Sequence, residues 1–257
     1  MKIFYFTATG NSFYIAKKIG GELYSIPQMM KEEKYEFEDE AIGFVFPCHG
    51  FGVARLIRDF IKKSAFRAKY FFAIMTYGSN PASGLRQIEQ AGSDVGIRFN
   101  YTNEILMVDN YLPNFMIEDE LKQENSKCIE ENLDQIAQDI ANRENKFTHK
   151  DPDSDAMSEQ GRQYADKLSY NYSRNQFIIW ENCNRCKTCE KVCPANNIRV
   201  DEKPVFSNQC EMCFACIHLC PQNAIHMESE QSGKRFLNQH VKLNEIIMAN
   251  NQHNVPK

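Results

Sequence analysis

The chain has 257 residues, 42% of them hydrophobic and 25% charged, with a formal net charge of −4. That is enough length for one medium domain and a small one, an ordinary balance for a buried core, and the wrong sign of charge for binding nucleic acid through its phosphates. No apolar run approaches the ~18 residues a spanning helix needs, so no membrane insertion is expected.

The start, MKIFYFTATGNS, meets a Gly-Asn turn where a secretory signal would carry a small-residue cleavage site. A cytoplasmic chain is therefore expected. Its ten cysteines, in a reducing compartment, point to metal rather than to a disulfide framework.

Lys2–Phe6 is a short apolar run that predicts a strand, and Ser12–Ile19 has the helical spacing Phe13, Ala16, Ile19. Leu23–Ile26 predicts a second strand. Residues 27–40 are too polar for a full crossover helix, so one crossover is expected to be abbreviated. Ala41–Pro47 and Tyr70–Thr76 are continuous apolar runs, each followed by a helical pattern (Val53–Ile61 and Leu85–Ala91). Arg98–Val108 predicts the last strand. Strands without polar alternation, separated by helices, indicate a parallel sheet covered on both faces.

From Ile117 to Ile140 the apolar positions 117, 121, 128, 129, 133, 136, 137 and 140 keep to one helical face, predicting a single helix with Cys128 on its buried stripe. Arg143–Ser158 is polar, with a proline at 152, and is expected to be a linker; Ala156–Leu168 predicts a connecting helix. These patterns divide the chain into residues 1–145, a connecting segment 146–175, and a small unit 176–257. In its polar tail, Leu243, Ile246 and Ile247 form a short helical patch expected to pack back on that unit.

The small unit carries the clearest motif. Cys183-x2-Cys186-x2-Cys189-x3-Cys193-Pro194 recurs as Cys210-x2-Cys213-x2-Cys216-x3-Cys220-Pro221, every member 27 positions on. Three cysteines two residues apart wrap one face of a cubane, and the fourth, before proline, reaches the other. The spacing thus assigns Cys183, Cys186, Cys189 and Cys220 to one [4Fe–4S] cluster, and Cys210, Cys213, Cys216 and Cys193 to a second. A pair of zinc sites is the alternative, but tetrahedral zinc has no use for a third close cysteine followed by Cys-Pro, twice. Over Phe177–Met227 the stretch resembles bacterial two-cluster ferredoxins. Trp180 is expected to pack at the domain junction, and His218 and His226 to lie at the surface or just behind the ligands.

A second constellation, Thr7-Ala8-Thr9-Gly10-Asn11-Ser12, stands between the first strand and the first helix. Its hydroxyls and the helix-start N–H groups make a phosphate cradle without Lys or Arg. It fits neither G-x-x-x-x-G-K-[ST] nor G-x-G-x-x-G. Two more loops, Pro47-Cys48-His49-Gly50-Phe51-Gly52 and Thr76-Tyr77-Gly78-Ser79-Asn80, fall at carboxyl ends of predicted strands, where open α/β sheets bind ligands.

The first loop resembles the [ST]-x-T-G-x-[ST] phosphate loop of flavodoxins. The resemblance implies FMN, with its phosphate on Thr7–Ser12 and its ring between the other two loops. His49, where the family more usually has an aromatic, and Phe51 and Tyr77 are then the flat flanking side chains. Pro47 and Thr76 stand at the strand ends, and Gly50, Gly52 and Gly78 let the backbone approach. Val108–Pro113 is expected to cover the ring edge. Cys48 is read as a compact loop residue.

Taken whole, the chain resembles the ferrodoxin-type fusions. These imply a flavodoxin-like doubly wound α/β sheet, plus a small α+β ferredoxin domain with two [4Fe–4S] clusters. The implied function is electron relay between the clusters and FMN, with redox proteins as partners and an anaerobic or facultative bacterial setting. The rival reading is a flavin-dependent reductase of a small acceptor such as a quinone or nitro compound. The sequence itself shows no acid–base or nucleophile constellation.

Overall fold

A computed structural model describes residues 1–148, 159, 160, 163 and 176–253. The larger unit runs β1 (Lys2–Tyr5), α1 (Asn11–Ile19), β2 (Glu22–Ser25), α2 (Ile26–Lys31), β3 (Glu36–Glu38), β4 (Ala41–Pro47), α3 (Arg55–Lys63), β5 (Ala65–Arg67), β6 (Tyr70–Tyr77), α4 (Gly84–Ser93) and β7 (Tyr101–Leu106). There follow α5 (Ile117–Lys122), a 3-10 turn (Glu124–Lys127), α6 (Ile129–Ala141) and β8 (Lys146–Phe147).

The central sheet has the order β2-β1-β4-β6-β7-β8, and every pairing in it is parallel. Beyond it, β3 and β5 form a two-stranded parallel ribbon. Counting only the main strands, the order is the doubly wound 2-1-3-4-5 with one edge strand added. The apolar runs are continuous because side chains alternate between two covered faces. Ile3, Tyr5 and Val45 enter the core beneath α1 and α6, with Ile15, Leu133 and Ile136. Phe4, Phe6, Phe44 and Phe46 enter the opposite core with Ile57 and Phe60 of α3 and Ile88 of α4. Gly43, mid-strand, leaves room for the Phe72 ring: a Cβ there would stand 2.0 Å from Phe72 Cζ.

Two expectations for this unit need correction. The predicted helix over Ile117–Ile140 is broken: Cys128 takes a left-handed φ of 49° and is exposed, not buried. The break lets Lys127 sit buried, with Nζ 3.0 Å from Glu120 Oε2, which also accepts the Asp109 N–H at 2.9 Å. An apolar period can stay in phase across such a kink, so the pattern does not register it. The expected linker begins later than Arg143, because Lys146 and Phe147 add the sixth strand beside Tyr101 and Thr102. The connecting helix predicted over Ala156–Leu168 lies largely outside the described residues.

The small unit contains β9 (Phe177–Ile179), α7 (Thr188–Lys191), β10 (Ile198–Val200), β11 (Pro204–Phe206), α8 (Ala215–His218) and β12 (Ile225–Met227). β9 pairs with β12 and β10 with β11, both antiparallel. The 27-residue repeat is also visible in the backbone. Three pairs of non-glycine residues share left-handed φ at that offset: Arg185 with Met212 (61° and 55°), Lys187 with Phe214 (61° and 57°), and Asn196 with Asn223 (54° and 48°). Such conformations cost roughly 1–2 kcal/mol each. They curl the loops so that N–H groups face sulfur: those of Asn197 and Ala224 each donate to a thiol, Cys193 Sγ and Cys220 Sγ, at 3.3 Å.

The two units share their cores. Val192, Ala215 and Leu219 pack into the core beneath α1. Val108, Leu112 and Ile117 of the larger unit pack with Phe214, Ile217 and four of the cysteines. A last helix, α9 (Leu243–Asn250), crosses the boundary. It does not pack on the small unit alone, as expected, because its carbonyls are taken by α2: Gln28 Nε2 donates to Ala249 O (3.1 Å) and Asn251 O (3.0 Å), and Ser25 Oγ also bonds Ala249 O. Asn250 is fully buried and donates from Nδ2 to Thr7 O (2.9 Å) and Val192 O (3.2 Å), one carbonyl from each unit. Among the described residues no helix is long and apolar enough to cross a membrane.

Replacing Asn250 by Ala strands two buried carbonyls. It should lower stability by about 2–3 kcal/mol, read as a lower urea midpoint with the slope unchanged.

Candidate functional site

The loops after β1, β4, β6 and β7 open at the same edge of the sheet, and together they line one cavity of about 400 Å³. This lies within the size of ordinary ligand pockets. Of the loop residues singled out from the sequence, Thr7, Thr9, Asn11, Ser12, Pro47, His49, Gly50, Phe51, Thr76, Tyr77 and Gly78 all line it. Gly10 and Gly52 do not. Gly10, at φ 103°, backs onto the C-terminal segment, where an added Cβ would stand 2.9 Å from Asn238 Cβ. A Cβ on Gly52 would meet the Gln87 amide at 2.2 Å. Both glycines therefore serve packing behind the wall.

The first loop is held by neutral groups. Gly10 N–H donates to Thr7 Oγ1 (3.1 Å), Asn110 Nδ2 to Thr9 Oγ1 (2.6 Å), and Asn11 Nδ2 to Val108 O (3.1 Å). Ser12 Oγ lies 2.9 Å from Thr76 Oγ1, joining the first and third loops. From the tail, Asn238 donates through its backbone N–H to Thr9 O (2.8 Å) and through Nδ2 to Asn11 Oδ1 (3.1 Å). No Lys or Arg lines the cavity.

Burial shifts three titratable side chains of the wall toward their neutral forms. Burial pushes the Cys48 thiol up to about 12, helped by the Asp109 and Glu104 carboxylates, so it is an inert loop residue. Burial likewise raises Asp109, with Glu120 adding to the effect. His49 is held below the ordinary imidazole value by burial, against a hydrogen bond to the Glu211 backbone.

The opposite wall comes from the small unit: Met212, Cys213 and Phe214. Sequence reasoning missed this contribution, since nothing in the repeat tells which copy faces the sheet. Glu211, buried beside Cys210, accepts from Arg55 of α3 through Nε and Nη2 (3.2 and 3.1 Å). Compensation by a partner is what makes a carboxylate tolerable at that depth.

One set of four cysteines surrounds a common space. Cys183, Cys186, Cys189 and Cys220 line one small cavity. Cys193, Cys210 and Cys216 pack together with Cys189 in one buried cluster. Cys189, Cys193, Cys210 and Cys216 are buried, whereas Cys186 is exposed.

One further residue differs from expectation. Trp180 is 52% exposed and stacks on His226, ring centroids 3.6 Å apart, away from the domain junction. His218, expected at the surface or just behind the ligands, takes the second place: it is buried and lies between Cys216 and Cys220 in sequence. Its Nε2–H donates to Asn110 O (2.8 Å), and its Nδ1 accepts from Phe236 N–H (3.2 Å). A continuous chain of hydrogen bonds thus runs from Phe236 through His218 and Asn110 to Thr9. His226 is buried too, between Glu230 and Asn223 O.

Residues 177–236 match a family model described as a 4Fe-4S dicluster domain. The small unit is a 4Fe–4S ferredoxin-like domain. That match supports iron–sulfur cluster binding and an iron–sulfur electron-transfer role, and its span contains all eight cysteines of the repeat. Among solved structures, the Trp repressor binding protein from Bacillus subtilis is similar at 16% identity, over 42% of this chain and 84% of that one, with a TM-score of 0.30. That likeness is too slight to build on. No curated protein matches the chain.

Burial holds His218 near pKa 4, well below the ordinary value of 6.5. The unfolded chain therefore takes up a proton that the folded one refuses, so stability present above about pH 6.5 should fall as pH drops toward about 4. Nitrogen-15 NMR should find His218 as the neutral Nε2–H form at pH 6, and His218→Gln should remove one proton's worth of the slope.

Proposed function

We propose that this chain is an electron-transfer protein in which two [4Fe–4S] clusters of the ferredoxin-like domain exchange electrons with an FMN held by the α/β unit. The observation that carries the proposal is the cavity with walls from both units. Four strand-end loops line one side, and Met212, Cys213 and Phe214 line the other. A redox-active ligand there would stand against a loop that holds a cluster thiolate.

Several features support flavin. The strand order is that of flavodoxin-like sheets, which bind FMN at the carboxyl edge. The donor set suits its phosphate. Hydroxyls of Thr7, Thr9 and Ser12, the Asn11 amide and the first-turn N–H groups of α1 provide neutral hydrogen bonds at the positive end of a helix dipole. Gly10 sets the turn that aims them. Pro47, His49, Gly50 and Phe51 on one loop, and Thr76, Tyr77 and Gly78 on another, form the sides of a slot for a flat ring, with Gly52 allowing the first loop to close on Gln87.

The cluster ligands follow the repeat: Cys183, Cys186, Cys189 and Cys220 for one cubane, and Cys210, Cys213, Cys216 and Cys193 for the other. A buried donor without a partner, Asn197 Nδ2, stands on the residue whose N–H already serves Cys193, as suits a site rich in sulfur acceptors. The clusters supply one-electron steps and the flavin one or two. The protein excludes water with Val192, Ile198, Phe206, Ile217 and Ile225, all buried, which helps set the potential. The flavin unit would comprise the sheet through β8, and the cluster domain residues 176–257 with α9 as its tie to the sheet.

Anaerobic purification should yield about eight irons, about eight sulfides and about one FMN per chain. Thr9→Val, which loses a hydroxyl from the cradle, should weaken FMN retention by about tenfold with iron content unchanged. Zinc in place of iron would end the cluster reading, and iron without flavin would end the FMN reading. Fast turnover of a quinone or nitro compound would identify a reductase instead.

A further inference from the structure

The duplication places equivalent loops in two different environments. Around the middle cysteine, the second copy reads Met212-Cys213-Phe214 and the first Arg185-Cys186-Lys187, each residue 27 positions from its counterpart. The backbones are alike, with left-handed φ at both flanking positions in both copies. The second loop is apolar and closes against the cavity of the α/β unit, Met212 and Phe214 being 8% and 3% exposed. The first has the same shape, yet Arg185, Cys186 and Lys187 are all exposed.

We propose that the Arg185–Cys186–Lys187 loop is the docking port for an external electron-carrier protein whose own redox centre is ringed by carboxylates. The inference rests on the cluster and flavin reading above. One copy of a duplicated surface serves the internal partner, and its equivalent presents the group of Cys183, Cys186, Cys189 and Cys220 to an outside one. The two ports differ in chemistry as permanent and transient contacts do. The internal port is apolar and buried, whereas the external one is charged, suiting fast and reversible encounter.

The charge selects the partner. Arg185 and Lys187 are the charged side chains lining the first cysteine cavity, on a chain whose net charge is −4. The exposed carboxylates Glu181, Asp201 and Glu202 do not line it. A local cationic spot on an anionic protein orients an acidic carrier and turns a like-charged face away. In the docked pair, one electron leaves the reduced carrier and enters the cluster of Cys183, Cys186, Cys189 and Cys220. The carrier is oxidised, the cluster is reduced, and no proton need move.

The test compares three proteins: wild type, the double variant Arg185→Glu with Lys187→Glu, and a charge-matched control, Lys62→Glu with Lys63→Glu, on the exposed end of α3. The probe is a dithionite-reduced acidic two-cluster ferredoxin. Cluster reduction is followed by stopped flow across ionic strength, and carbodiimide cross-links are mapped by mass spectrometry. The wild-type rate should fall about tenfold or more from low to physiological salt. The port variant should be at least about tenfold slower at low salt, with little salt dependence, while the control keeps most of the rate. Cross-links should centre on Lys187.

Equal slowing in both variants, no slowing in either, or cross-links centred elsewhere would overturn the port. Iron and flavin analysis of the same samples separates the two claims. Fully loaded wild type that shows no salt-dependent docking refutes the port alone, whereas chains that never load clusters refute the underlying reading as well.

Discussion

Asn250, near the end of the chain, is fully buried and donates to the carbonyls of Thr7 and Val192. Those two residues stand in the loop after the first strand and beside Cys193. A single amide thus fixes the spacing between the candidate phosphate cradle and the cluster domain. Around it the two units have no clean boundary, since Val192, Ala215 and Leu219 sit in the core of the sheet. Electron transfer depends steeply on distance, so a shared core suits the task better than a flexible joint. Arg55 on Glu211 and His218 on Asn110 reinforce the same seam.

Burial of the thiols has a consequence for cluster binding. It pushes Cys189 and Cys210 up to about 12, so the protein alone favours neutral thiols, whereas cluster ligands are thiolates. Ligation of a cluster by these thiols would therefore release their protons.

Much of the architecture was legible in the chain. Ala41–Pro47 matched its strand to the residue because both faces of that strand are covered, and covered strands leave an uninterrupted apolar run. The cysteine spacing carried the cluster domain because ligand geometry is local. Gathering of the three loops followed from the rule that parallel strands present their carboxyl ends together. What escaped was long-range or conformational. The kink at Cys128 leaves hydrophobic phase intact, and β8 is two residues long. The tail's role lies in amides, Asn238 and Asn250, whose value comes from burial alone. Trp180 left its expected place because an aromatic can stack on a neighbour in solvent, as it does on His226.

The central claim is that the loop of Cys213 and the four strand-end loops enclose one cofactor pair within a single chain. Laser-flash photoreduction of the loaded protein tests it most directly. After one electron is delivered, its redistribution between clusters and flavin should be first order, with a rate independent of protein concentration. A rate that rises in proportion to concentration would mean that the two cofactors meet only between molecules, and would contradict the shared cavity.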